Sequence, residues 1–262
     1  ITPSTSFFLV GGNSLLIIRL QSEIRKRFRA AVPLVDLLGA NTLGEMAQKV
    51  EETISVKTID WEYDTRPPTV SAPAIAPVPV DRARKGATIV ITGATGFLSK
   101  HLLPMLDARP DVDVIHCLAV RDIERAYSSP KVVHHPGDLS SPLLGLSKEE
   151  FNELSATADA ILHMGAARSF WDSYHVLRPI NVASTSDLVK LAAPRRVPIH
   201  YISTASLFGG STAALDGSAV SAAAHPPPTD GSSGYAATRW ASERILERSA
   251  ADLGVPSSIY RL

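Results

Sequence analysis

Two short strings in this sequence have residue types and spacing suited to chemistry. The first is Phe7-Phe8-Leu9-Val10-Gly11-Gly12-Asn13-Ser14-Leu15. Its glycines allow a tight turn and leave the hydroxyl of Ser14 accessible at the start of an amphipathic stretch. The least such a serine does is cap a helix. The second is Thr92-Gly93-Ala94-Thr95-Gly96-Phe97-Leu98-Ser99. It lies between a strand-like run, Ala87 to Ile91, and a helical one. Gly93 permits the turn. Gly96 lets a pyrophosphate approach the backbone at the helix N-terminus, where free N–H groups and the helix dipole favour anions. A strand before and a helix after give this glycine pattern its specificity.

The elements that must position these strings follow from periodicity. Over residues 1–55, Leu15, Leu16, Ile18, Leu20, Ile24 and Phe28 recur at helical spacing. Pro33 opens a short segment, Leu34 to Leu38. Asn41 and Thr42 introduce a third helix with Leu43, Met46, Ala47 and Val50 on one face. Residues 56–85 read as a linker, its core of Pro67, Pro68, Pro73, Pro77 and Pro79 set among Ala, Val, Thr and Ser. That composition favours extended polyproline geometry and a semi-rigid spacer.

From Gly86 strand-like runs (88–92, 114–120, 132–135, 160–164, 199–203 and 257–260) alternate with helical ones (97–108, 148–156, 185–193 and 235–253). Such alternation predicts an α/β fold with a doubly wound parallel sheet, order 3-2-1-4-5-6, preceded by a small all-helical unit.

Composition bounds the function. Of 262 residues 45% are hydrophobic and 20% charged, ordinary for a globular protein with a core. Lys and Arg number 26, as do Asp and Glu, so no net field attracts nucleic acid or an anionic membrane. The one cysteine, Cys117, excludes a disulfide framework, fits a reducing, cytoplasmic setting and lies in an apolar run as a buried strand residue. No apolar run is long enough to span a bilayer as a helix. His134, His135 and His163 lack partners at metal-ligand spacing and are read as structural.

The Ser14 segment resembles acyl- and peptidyl-carrier domains, whose modified serine lies in a G-G-[DN]-S-[LI] motif after paired aromatics. Leu16-Ile17-Ile18-Arg19-Leu20 and Asn41-Thr42-Leu43-Gly44-Glu45-Met46-Ala47 resemble helices of that fold. The resemblance implies that Ser14 carries a covalent phosphopantetheine arm whose thiol holds the growing product. Only 13 residues precede Ser14, fewer than a carrier's first helix needs, so a partial carrier is expected over residues 1–55.

The T-G-A-T-G-F-L string resembles the extended short-chain dehydrogenase/reductase superfamily. Within it, it is similar to the thioester reductase domains that end some nonribosomal peptide and polyketide synthetases. The resemblance puts the Rossmann part of such a domain at 86–262, with the C-terminal substrate region missing. It implies cofactor contacts from Gly93, Thr95, Gly96 and Phe97, with Ser99 where the family usually has a third glycine and a looser fit there. Arg121, after the second strand, is placed to pair with a 2′-phosphate, which favours NADPH. Gly137-Asp138-Leu139-Ser140 resembles the segment beside the adenine. His163-Met164-Gly165-Ala166-Ala167 and Asn181-Val182 resemble further family segments.

Reductases of this superfamily use a hydroxyl residue, a Tyr and a Lys. The resemblance places these roles on Thr204 (Ser203 the alternative) and Tyr235, with Arg239 where the family has Lys. Arg239 keeps the charge, but its planar guanidinium does not fit a compact ammonium site. Some reductase-like domains of fungal polyketide–peptide hybrids release their chain by Dieckmann condensation to a tetramic acid, without redox chemistry. The carrier segment resembles those hybrids. Non-reductive Dieckmann release is therefore the preferred expectation. NADPH-dependent reductive release to an aldehyde or alcohol is the alternative, and the terminus of a carboxylic-acid reductase a further one. Expected partners are the upstream domains of the same synthase and the carrier-bound peptidyl or polyketide thioester, with neither nucleic acid nor membrane.

Overall fold

The computed structural model describes residues 1–28, 30, 32–55, 59–70, 86–169, 172–208, 220–228 and 234–262. Near the N-terminus α1 (Ser14–Phe28), α2 (Leu34–Gly39) and α3 (Leu43–Ser55) share a core centred on Ile17, Ile24, Val32, Leu37 and Met46. Of the α1 residues expected on one face, only Leu20 and Ile24 reach this core, in a narrow stripe that begins at Ile17. Leu15, Leu16, Ile18 and Phe28 are exposed, as is Ala47 on α3. An apolar residue every few positions suits two faces of a helix equally, and only packing chooses between them.

The second unit is a six-stranded sheet, wholly parallel, in the order β3-β2-β1-β4-β5-β6. Its strands are β1 (Ala87–Thr92), β2 (Val112–Val120), β3 (Val132–Pro136), β4 (Ala160–His163), β5 (Ile199–Ser203) and β6 (Ser257–Arg261). Both the predicted strands and their order are borne out. Successive residues of β1 point to opposite faces, so Val90 joins one apolar cluster while Ile89 and Ile91 join the other.

Helices α5 (Phe97–Asp107), α6 (Lys148–Thr157), α8 (Ser184–Ala192) and α9 (Gly234–Asp252) cover the sheet. A helix not foreseen, α7 (Tyr174–Arg178), continues through a π-type turn at Pro179–Ala183 into α8. Pro179 reads as a helix breaker, yet its fixed φ is compatible with opening a helical turn. Cys117 is buried, and burial pushes its thiol up to about 12.

The linker expectation needs correcting at its start. Residues 59–66 are docked on the sheet unit. Ile59 and Trp61 pack against the larger core cluster, and a one-turn helix, α4 (Trp61–Asp64), is capped by Asp60. The prolines that follow hide from the sequence that the preceding Trp61, Glu62 and Asp64 each have a partner. Residues 71–85 of the Pro/Ala stretch lie outside the described residues.

Candidate functional site

Ser14 is the first residue of α1 and is exposed. The helix cap is its neighbour, Asn13, whose Oδ1 accepts from the N–H groups of Leu15 and Leu16, both at 3.1 Å. Capping by Asn13 relieves Ser14 of that task and leaves its hydroxyl open to solvent. Gly11 has φ +100, and a Cβ on Gly12 would lie 2.3 Å from the Phe7 ring. The two glycines thus meet different demands, one of backbone angle and one of space beside Phe7.

In the sheet unit the site forms where β1 and β4 diverge. Gly93 follows β1 with φ +79, and a Cβ there would come within 2.7 Å of the Gly165 nitrogen. Gly96 occupies the cap position of α5, and a Cβ on it would lie 3.0 Å from the Gly93 carbonyl oxygen. Ser99 is fully buried and its hydroxyl donates to the same carbonyl at 2.7 Å. The expected looseness at Ser99 is not found. The hydroxyl latches the glycine turn instead. Gly93, Thr95, Gly96 and Phe97, in the turn and at the start of the 11-residue helix α5, are the residues that would hold a dinucleotide pyrophosphate. A bound nicotinamide dinucleotide would supply hydride chemistry at this place.

Arg121, just past β2, and Asp138, just past β3, face each other: Arg121 Nε lies 2.6 Å from Asp138 Oδ2. The other Asp138 oxygen accepts from the Ser140 N–H and hydroxyl at 2.8 and 2.6 Å. Ser140, then Arg121, holds the Asp138 carboxyl below its ordinary value, although burial opposes them. Leu139 is buried against the core near Gly165. The two residues expected on the cofactor are therefore paired with each other here.

A hydrogen-bonded chain ties the glycine turn to the helix bearing Tyr235. The Thr92 hydroxyl accepts from the Gly165 N–H at 3.1 Å and is 2.7 Å from His163 Nδ1. Thr185 gives its proton to the Asn181 carbonyl at 2.9 Å, so its oxygen, 3.2 Å from His163 Nε2, accepts from that ring. These partners assign the proton of a neutral His163 to Nε2. Burial, then the nearby Arg239, drives the His163 pKa down to about 3. Asn181, fully buried in the π-type turn, exchanges hydrogen bonds with the Ala167 backbone at 2.9 and 3.0 Å. Its amide also donates to Thr238 at 3.0 Å on α9.

Tyr235 and Arg239 lie one turn apart on α9, and Arg239 is buried. Arg239 Nε donates to the Tyr235 hydroxyl oxygen at 3.1 Å, and Nη1 donates to the Tyr201 hydroxyl oxygen at 2.7 Å. The guanidinium carbon lies 5.1 and 5.2 Å from the Tyr235 and Tyr201 ring centroids. Burial works against the Arg239 charge, but the two phenols outweigh it and its pKa is raised. Burial likewise raises that of Tyr201. Because Tyr235 accepts from the cation, its own O–H remains available to a reacting group.

Thr204 stands at the end of β5, its hydroxyl 3.0 Å from that of Ser206. No hydrogen bond joins it to Tyr235 or Arg239 among the described residues. Ser203, the alternative, is buried and donates to Glu243, which Arg261 grips through Nε and Nη2. That pairing ties β5 and β6 to α9.

The structure thus brings Tyr235 and Arg239 together and adds Tyr201, which sequence reasoning missed. Its signal was the alternation of β5, where Ile199, Tyr201 and Ser203 share the buried face.

Comparison with known proteins matches this geometry. Residues 120–262 match the NAD-binding family model described as male sterility protein, and residues 1–50 match that of the phosphopantetheine attachment site. Over its whole length the chain is 92% identical to the hybrid PKS-NRPS synthetase thnA of Trichoderma harzianum and 49% identical to the hybrid PKS-NRPS synthetase traA of Penicillium crustosum. It spans 7% of each of those proteins. The terminal R domain from the myxalamid PKS-NRPS biosynthetic pathway aligns with a TM-score of 0.61 and 31% identity, over 77% of this chain and 54% of that one. No helix among the described residues is long and apolar enough to cross a membrane. The chain belongs to the NAD-binding male sterility protein family, with a phosphopantetheine attachment segment ahead of its Rossmann-type sheet.

Proposed function

We propose that this chain is the releasing end of a polyketide–peptide hybrid synthase, and that it frees the Ser14-bound product by Dieckmann condensation to a tetramic acid. One observation carries this reading: the Arg239 cation is buried between Tyr201 and Tyr235 and donates a hydrogen bond to the phenol of each. A lysine in that place holds the nicotinamide ribose in reductases of the superfamily, and here the cation is turned to a different task.

The chemistry balances without hydride. A carbon acid between two carbonyls loses its proton, and the carbanion attacks the thioester carbon. The new C–C bond forms, the C–S bond breaks, and the departing thiolate takes up a proton. In the attack an oxyanion develops on the thioester oxygen. Tyr235 O–H donates to it, and Arg239 behind the phenol strengthens that donor; fixed donors of this kind contribute about 2.7–4 kcal/mol each. Thr204, at the same edge of the sheet, is assigned as a second donor.

A second reading, NADPH-dependent reductive release, is favoured by the intact glycine turn with its Ser99 latch. One experiment separates them. The full-length protein, its carrier loaded with substrate, is incubated with and without NADPH, and both product mass and cofactor oxidation are followed. Cyclised product formed without NADPH supports the proposal. NADPH oxidation matched by aldehyde or alcohol overturns it.

A further inference from the structure

We infer that the segment Ile59–Asp64 is an anchor that shortens the carrier's tether to residues 56–58, and that the Pro/Ala-rich stretch beyond it is not the tether between carrier and catalytic unit. Helix α3 ends at Ser55, and Ile59 already packs against the core of the sheet unit. Four peptide steps separate those residues, a reach of at most about 14 Å at ~3.5 Å per residue. Every later residue up to β1 leaves from a point already fixed to the catalytic unit.

The anchor is a specific contact. The Trp61 ring meets those of Tyr174 and Trp240 edge-on, with centroids 5.0 and 5.4 Å apart. Asp64 receives Arg178 Nε at 2.9 and 3.0 Å, Arg178 Nη2 at 2.7 Å and the Tyr174 hydroxyl at 2.8 Å. Burial opposes the Asp64 charge, but Arg178 and Tyr174 prevail and hold its carboxyl below the usual range. Glu62 pairs with Arg248 of α9 at 2.6 Å. Inside, Thr65 is buried and its hydroxyl donates to the Trp61 carbonyl at 2.7 Å, closing the turn.

The place of attachment links the anchor to the chemistry. Trp240 follows Arg239 directly, and its Nε1 donates to the carbonyls of Ala222 and His225 at 3.0 and 3.1 Å. Gly234, just before Tyr235, packs so closely on the start of α7 that a Cβ would lie 2.6 Å from the Tyr174 nitrogen. The tether is therefore fastened to the two helices that frame Tyr235 and Arg239.

The inference rests on Ser14 bearing the thioester and not on which product leaves, so the readout is loss of acyl thioester from Ser14 in single turnover, whatever is formed. In the full-length protein ten flexible residues are inserted after Lys57 or, separately, after Ala76. Once a flexible tether exceeds the span it must bridge, effective concentration falls with about the −3/2 power of its length. Lengthening three residues to thirteen lowers release about ninefold, while the insertion after Ala76 leaves it unchanged. Were 56–85 the tether, both insertions would cost the same factor of about 1.5.

A Trp61→Ala/Asp64→Asn variant should slow release by an order of magnitude or more and leave turnover of a soluble acyl thioester intact, which also checks that it folds. Equal effects of the two insertions, faster release from either, or an unaffected anchor variant overturns the inference. Failure to make a tetramic acid bears only on the proposed reaction.

Discussion

At the scale of single residues, the proposed release turns on a cation and a serine hydroxyl, and each is presented by a neighbour. Arg239→Lys frees Tyr201 from its charged partner and restores a compact ammonium one turn from Tyr235; NADPH oxidation, followed by absorbance, is expected to rise from near zero. An unchanged rate would remove Arg239 as the block to reduction. Tyr201→Phe deletes the acceptor for a buried guanidinium N–H and is expected to cost about 1.5–3 kcal/mol in chemical denaturation. At α1, Asn13→Ala should destabilise the helix by about 1 kcal/mol yet leave loading by a phosphopantetheinyl transferase intact. Ser14→Ala should abolish the added mass. For His163 the folded pKa lies below the ordinary imidazole value, so the unfolded chain binds the proton more readily. Stability is expected to fall with pH from about 6.5 down to about 3, by at most ~1.4 kcal/mol per pH unit from this group, as acid titration of the unfolding midpoint will report.

At the scale of elements, Ser99→Gly would install the residue usual in the family, but here it removes the latch on Gly93 and loosens a helix's first turn. A loss of about 1–2 kcal/mol is expected by denaturant unfolding, and a gain in stability would show the latch to be strained. Strands and covering helices were legible because their apolar periods are long and each is bounded by glycine, proline or polar turns. The six strands fell within two residues of their predicted ends for that reason. Helix α7 and the π-type turn were not legible: Pro179 stands in their midst, and the residue that holds them, Asn181, works through backbone carbonyls and Thr238 rather than through any local pattern. Tyr235 and Arg239 were readable as a pair from their spacing. Tyr201 was readable only as a buried strand residue, since its part at Arg239 depends on β5 lying beside α9, a contact of 38 residues' separation that only the fold creates.

At the scale of the whole molecule, the helical unit has one apolar core and the sheet unit has one on each face, and the chain between the two units is divided unequally by Trp61. The docked turn also fixes where this protein can be cut and rejoined. A proline-rich stretch invites a graft within it, yet a junction there would leave the donor's Trp61 and Asp64 facing a foreign Tyr174, Trp240 and Arg178. Exchanging the releasing unit with the segment from Ile59 onward keeps lock and key from one parent. Chimeras joined at Thr58 are therefore expected to outperform those joined at Ala76, in product formed per loaded carrier, whenever the two parents differ at these contacts.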